Sequence, residues 1–119
     1  MLDNARRDVF PLLTAKEREL TEGVFSMFLD DAANFGFERR LTHTDMWGRH
    51  ILMDQMPRVA GIIDYGSTCI SDTNYDFFPL VLDFGEAFAR EALAAYGHPN
   101  PDRAVRNAPF YCAMDALAC

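Results

Sequence analysis

Lysine is almost absent from these 119 residues: Lys16 stands alone. It lies in Thr14-Ala15-Lys16-Glu17-Arg18-Glu19, a charged helical setting that reads as solvated surface rather than as a phosphate-binding lysine. Basic residues as a whole are scattered and outnumbered, 11 Lys+Arg against 18 Asp+Glu for a net charge of −7. A nucleic-acid surface needs clustered cations, so that class of partner is excluded, whereas a small cationic ligand suits the acidity. No run approaches the roughly eighteen apolar residues of a membrane span, and Met1 is followed by Leu2-Asp3-Asn4-Ala5-Arg6-Arg7 rather than an apolar leader. The expectation is a chain without a membrane partner, located in the cytoplasm. Cysteines are few, Cys69, Cys112 and Cys119, an odd number without the spacing of a zinc knuckle or a disulfide framework. Cys69 is expected to be a small buried residue, and Cys119 a mobile one at the end of the chain. Repeats, low-complexity tracts and linkers are also missing, so residues 1–119 read as a single domain; 50% hydrophobic content suffices for a core.

What is present is mostly helical punctuation. Thr14 with Glu17 forms a capping box opening a long helix, with Leu20, Val24, Met27 and Phe28 at helical spacing for the core. Its end is predicted near Asn34-Phe35-Gly36, where Gly permits a left-handed turn. Asp72-Thr73-Asn74 offers caps for a helix through Phe77, Leu80 and Val81 to Phe84, and Pro79 falls inside it, either in the first turn or at a kink. A further helix from Glu86 to Tyr96 carries Phe88, Ala92 and Leu93 and stops at Gly97. Asn100-Pro101-Asp102 starts another, with Pro109 limiting its run. The stretch from Gly66 through Ser71 reads as loop. Between Ile51 and Ile63 two apolar runs flank Gln55-Met56-Pro57, which predicts a β-hairpin.

The chemistry lies at the two ends of that hairpin. His43-Thr44-Asp45-Met46-Trp47-Gly48-Arg49-His50 precedes it and Asp64-Tyr65-Gly66 follows it. Protein kinases carry His-Arg-Asp, four residues, Asn, then Asp-Phe-Gly, with the first Asp handling the acceptor hydroxyl and the others holding magnesium. Here His50 stands at the Asn position. A hairpin returns the chain to its start, so Asp64 should arrive beside Asp45 and His50.

These segments resemble the aminoglycoside phosphotransferase family of the kinase-like superfamily. Leu41-Thr42-His43-Thr44-Asp45 with His50-Ile51-Leu52-Met53-Asp54 is similar to its catalytic loop, Gly61-Ile62-Ile63-Asp64-Tyr65-Gly66 to its metal loop, and Ile70-Ser71-Asp72-Thr73-Asn74-Tyr75-Asp76-Phe77 to the acidic segment after it. His at position 50 resembles the branches that modify the 2''-hydroxyl of aminoglycosides, or macrolides. Thr44 replaces the usual Gly or Asn, and any positive φ there is costly for a β-branched side chain. The implied fold is α+β: a fragment of a kinase-like C-terminal lobe, mainly helical, with a small β-hairpin carrying the catalytic and metal loops. The N-terminal nucleotide-binding lobe, with its Gly-rich loop and Lys, is absent before residue 43. The expectation is a truncated piece, inactive alone.

The resemblance assigns roles. Asp45 would take the acceptor proton, and Asp64 would bind Mg2+ that accompanies ATP or GTP. His50 would ligate the metal or hydrogen-bond a phosphate or metal-bound water. His43, Asp72 and Asp76 would support the loop, while Trp47, Arg49, Asp83 and Glu86, and with them Glu91, are candidates for substrate contact. Two other readings are a non-catalytic module that dimerises through the exposed interlobe surface, and a small metal-dependent hydrolase using His43, Asp45, His50 and Asp64 together.

Overall fold

The structure is a computed structural model and describes residues 2–118; Cys119, expected to be mobile, lies outside the described residues. The chain groups into two compact units, residues 2–37 with 109–118, and residues 38–108.

The first unit is helical: α1 (Leu2–Asp8), a short 3-10 turn at Phe10–Leu12, α2 (Ala15–Leu29), a second such turn at Ala32–Phe35, and the last part of α5 (Pro101–Ala118). Helix α2 opens on the capping box read from sequence, with Thr14 Oγ1 accepting from Glu17 N while Glu17 Oε2 accepts from Thr14 N. It ends earlier than predicted, at Leu29. Asp31 then accepts from Ala33 N and starts the tighter turn, and Gly36 has φ −90°, so no left-handed cap forms there. The buried face also differs from the predicted stripe. Leu20 and Met27 are exposed, and Phe25 with Phe28 faces inward. Phe28 stacks on Phe110 at 3.6 Å between ring centroids and meets Tyr111 edge-on, while Phe25 meets Phe110 edge-on. Such pairs add about 0.5–1.5 kcal/mol each beyond the area they bury. Pro109 does not limit α5, which runs through it: Pro109 is on an exposed face, and the residues after it are buried against α2's aromatics.

The second unit has two antiparallel two-stranded ribbons and three helices. β1 (Arg39–Thr42) pairs with β4 (Cys69–Asp72) in the register Arg39 to Asp72 and Thr42 to Cys69. β2 (Ile51–Met53) pairs with β3 (Val59–Ile62), Ile51 opposite Ile62, with an irregularity after Leu52. The second ribbon is the predicted hairpin; in the first, β4 stands where the sequence reads as loop, and β1 was not anticipated. Cys69, expected buried, is exposed on β4. Helices α3 (Asn74–Phe84) and α4 (Glu86–Tyr96) end where the sequence placed them, at Gly85 and Gly97, both with positive φ. Of the two places expected for Pro79, it is not in α3's first turn but in its interior, where a kink was the alternative, and it is fully buried. The core joins Phe77 and Leu80 of α3, Ala89 and Leu93 of α4 and Ala104 of α5, with Met46 and Ile51 packed against it. Ile51 and Ile62 also line a cleft of about 290 Å³ with Phe77 and Leu80. The hairpin is thereby seated on the helices, with its two ends at the loop below.

Candidate active site

The loop from His43 to His50 has little regular structure, so its shape must come from specific hydrogen bonds. Asp76, in the first turn of α3, supplies two: Oδ2 accepts from His43 N at 3.0 Å and Oδ1 from Thr44 N at 2.7 Å. Burial pushes the Asp76 carboxyl above the usual aspartate range, against the opposing pull of the Thr44 and His43 amides and the nearby His43 ring. At the other end of the loop, Asp83 Oδ2 accepts from Gly48 N at 2.7 Å. Gly48 leaves room there: a Cβ would stand 2.8 Å from Phe84 Cζ, and the ring would have to shift to admit it.

His43 is buried and commits both ring nitrogens to the backbone. Its Nε2 is 2.9 Å from the Ile63 carbonyl, which can only accept, so Nε2 carries the proton; Nδ1 then accepts from Asp45 N at 3.3 Å. One imidazole thus ties the residue before Asp64 to the amide of Asp45. A second tie runs from Thr44 Oγ1 to the Ser67 carbonyl at 2.6 Å. Thr44 and Asp64 are the only non-glycine residues with positive φ among those described, at 64° and 68°. Asp tolerates this region; Thr does so at a cost of about 1–2 kcal/mol, the penalty anticipated from its branching.

His50 is buried, and its Nδ1 lies 2.8 Å from the Asp45 carbonyl. The proton therefore sits on Nδ1 and the lone pair on Nε2, which is 3.6 Å from Asp64 Oδ2. Asp45, His50 and Asp64 each offer one ligand atom, all within 4.8 Å of one another. Two carboxylates and an imidazole whose second nitrogen is fixed by a carbonyl form a donor set suited to a hard divalent cation with room for water and phosphate oxygens. His43 is outside this cluster, its nitrogens already used.

The remaining candidates divide. Arg49 and Trp47 belong to the site: Arg49 Nη2 donates to Asp45 Oδ1 at 3.1 Å, its Nε donates to His50 Nε2 at 3.2 Å, and its guanidinium lies 5.4 Å from the Trp47 ring centre. Asp83 supports the loop at Gly48, and Glu86 pairs with Arg90 in the first turns of α4, as does Asp102 of α5. Asp72 accepts from Asn74 N and Nδ2, closing the start of α3. Glu91 is exposed. The supports at Ser67, Ile63 and Gly48 went unread in the sequence, since each is a backbone group and backbone groups leave no residue signature.

A loop aspartate, a hairpin, and a second aspartate returned to the first define part of a kinase-like phosphotransferase fold. The sequence model of the phosphotransferase enzyme family, APH, matches residues 2–107, and the chain belongs to that family. Among solved structures, the GDP complex of wild-type aminoglycoside 2'-phosphotransferase-IIIa is similar over 98% of this chain at 30% identity, with a TM-score of 0.88. The GDP and kanamycin complex of APH(2")-IIIa matches with a TM-score of 0.85 at 30% identity over 98% of the chain, and the ADP-bound aminoglycoside phosphotransferase APH(2'')-Ib with 0.66 at 29% over 90%. The chain spans 40% of the length of the first two and 36% of the third. No helix among the described residues is long and apolar enough to cross a membrane.

Proposed function

We propose that this chain carries the acceptor- and metal-handling part of a phosphotransferase that moves the terminal phosphoryl group of ATP or GTP to a hydroxyl of an aminoglycoside. The observation that carries the reading is the convergence of Asp45, His50 and Asp64 within 4.8 Å. The similar structures in complex with GDP, with ADP and with GDP and kanamycin support the nucleotide and the substrate class.

Asp45 is the group to receive the proton of the attacking hydroxyl. Its amide is held by His43 Nδ1 and its carbonyl by His50 Nδ1, so the carboxylate is aimed by fixed backbone on both sides. Asp64 and the His50 Nε2 lone pair would hold Mg2+, Asp64 through a carboxylate on a left-handed backbone that His43 anchors one residue earlier. When bound, Mg2+ neutralises charge on the phosphate oxygens. Trp47 and Arg49 line the same mouth and would face substrate. The net charge of −7 favours a polycationic acceptor.

The segment alone is proposed to bind metal without turning over nucleotide, because no Gly-rich loop and no nucleotide-gripping Lys stand before residue 43. Calorimetric titration of the purified chain with Mn2+ and Mg2+ tests the site: measurable binding is expected, and Asp64→Ala should weaken it at least about tenfold, the usual scale for losing a metal ligand or its support. An unchanged isotherm for Asp64→Ala refutes the assignment. Kanamycin-dependent ADP release by the chain alone refutes the inactive state.

A further inference from the structure

Arg49 is the residue of the site for which the roles above leave the least explained geometry. Its side chain is 61% exposed and free to point into solvent, yet it folds back across its own loop. Nη2 meets Asp45 Oδ1 at 3.1 Å and Nε meets His50 Nε2 at 3.2 Å. These are a carboxylate oxygen and an imidazole lone pair of the three-residue cluster whose ligand atoms lie within 4.8 Å. A positively charged group therefore bridges two of the three donors. The imidazole contact is informative by itself: with Nδ1 donating to the Asp45 carbonyl, Nε2 can only accept, and Arg49 takes the lone pair that a cation would need.

We propose that the Arg49 guanidinium is the resident cation of this site, occupying the Asp45 carboxylate and the His50 lone pair until a divalent ion displaces it. The inference rests on the metal-site reading given under Proposed function and adds that metal entry is a competition with a side chain of the same loop. No bond is made or broken beyond hydrogen bonds. Once displaced, the guanidinium is left at the mouth of the site. There its planar fork matches phosphate oxygens, which ties its release to the arrival of a metal with its phosphates.

The magnitude follows from exposure. A solvated ion pair contributes little, and the divalent ion must also overcome a like charge next to its position, so removing Arg49 should tighten metal binding about threefold to tenfold. The experiment is calorimetric titration with Mn2+ alone on the wild-type chain, Arg49→Met and Arg49→Lys, with circular dichroism confirming the fold of each. Arg49→Met is expected to bind about threefold to tenfold tighter. Arg49→Lys, which keeps the charge, should stay within about twofold of wild type. Trp47, the one tryptophan of the chain, supplies an independent readout, because Arg49 leaves its ring when displaced. Mg2+ should change Trp47 emission in the wild type with the midpoint of a parallel Mg2+ calorimetric titration, and this change should vanish in Arg49→Met.

Binding by Arg49→Met that equals or is weaker than wild type overturns the competition while leaving the metal site intact. So does a Trp47 response that persists in Arg49→Met. Failure of both proteins to bind Mn2+ overturns the site and the competition together, so the two failures are distinguishable.

Discussion

The same ion pair occurs twice within fourteen residues. Asp45 and Arg49 are four apart in the loop and 3.1 Å apart in space; Asp54 and Arg58 are four apart at the hairpin turn and 2.8 Å apart. The shorter pair is at the turn with no chemistry. There Asp54 takes the Arg58 guanidinium and also its amide, Asp54 N donates to the Arg58 carbonyl, and Met56 and Val59 beside them are exposed. That turn closes on itself. The loop instead is held from outside, by Asp76 and Asp83 on α3, by Ile63 next to β3 and by Ser67 before β4. An Asp and an Arg at this spacing do not mark a site. What marks it is that the surroundings fix the loop backbone that carries the carboxylate, which leaves the exposed arginine side chain as the partner proposed to move.

If that difference is real, cutting the external supports should damage the loop far more than any change at the turn. The largest effect is expected from Asp76→Ala, which strips the acceptors from two amides. Leaving a partly buried donor unpaired costs about 1–3 kcal/mol, so urea unfolding should show a loss of about 2–4 kcal/mol, out of the 5–15 kcal/mol typical of a domain. Asp76→Asn removes the titrating group but also turns an NH2 donor toward one of the two amides, a fixed cost, so only the pH dependence of its effect reports the charge. Because burial raises the Asp76 carboxyl, the folded state holds its proton to higher pH than the unfolded chain, and this group's contribution to stability is fully present at low pH. It declines as pH rises from the ordinary aspartate range of about 3.9 through the raised value, and is then level. The wild-type minus Asp76→Asn stability difference should fall over that window; a difference that climbs with pH would show that the two amides outweigh burial.

A smaller effect is expected at Gly48. A Cβ there meets the far end of the Phe84 ring at 2.8 Å and Asp83 Oδ2 at 3.1 Å. Phe84 is 47% exposed, so its ring can swing away, and Gly48→Ala should cost about 1–2 kcal/mol, the low range for an overpacked contact. Removing the ring as well, in Gly48→Ala with Phe84→Ala, should recover part of that loss in the same unfolding measurement. An additive double variant would mean that the loop is not held against α3 in the way described.

How far the sequence disclosed this arrangement depends on the range of the interaction. The Thr14 and Glu17 box, the α4 stop at Gly97 and the hairpin between Ile51 and Ile63 were legible because each is set by residues within a few positions of one another. The meeting of Asp45, His50 and Asp64 followed from the hairpin alone. The β1 and β4 ribbon was not legible: its strands are four residues each, the pairing runs from Arg39 with Asp72 to Thr42 with Cys69 across the whole catalytic segment, and their apolar members Leu41 and Ile70 are exposed, which removes the alternation that marks a half-buried strand. Leu20 and Phe25 exchanged places for a related reason, since helical spacing identifies a stripe but not which neighbouring stripe the aromatic partners Phe28 and Phe110 select. Asp83 was read as a substrate contact from its charge; its hydrogen bond to Gly48 N depends on a backbone group 35 residues away.

The smallest effect, and the sharpest form of the comparison, belongs to the turn. Arg58 is 76% exposed on its side chain, and Asp54 would keep the Arg58 amide after truncation. Arg58→Ala therefore removes a solvated ion pair and nothing else, worth about 0.2–1 kcal/mol in unfolding and less as salt rises, because exposed pairs are screened over about 10 Å at 0.1 M salt. Its bearing on metal should be nil. Asp54 pairs with one arginine and has no imidazole beside it among the residues that cluster as possible ligands, so freeing it creates no cation site. The same charge removal thus separates the two regions: at Arg58 it should leave the Mn2+ isotherm within error of wild type, at Arg49 it should tighten it. If Arg58→Ala tightened Mn2+ binding as much as Arg49→Met, the gain would come from net charge alone, and the loop would have no claim to a particular arginine.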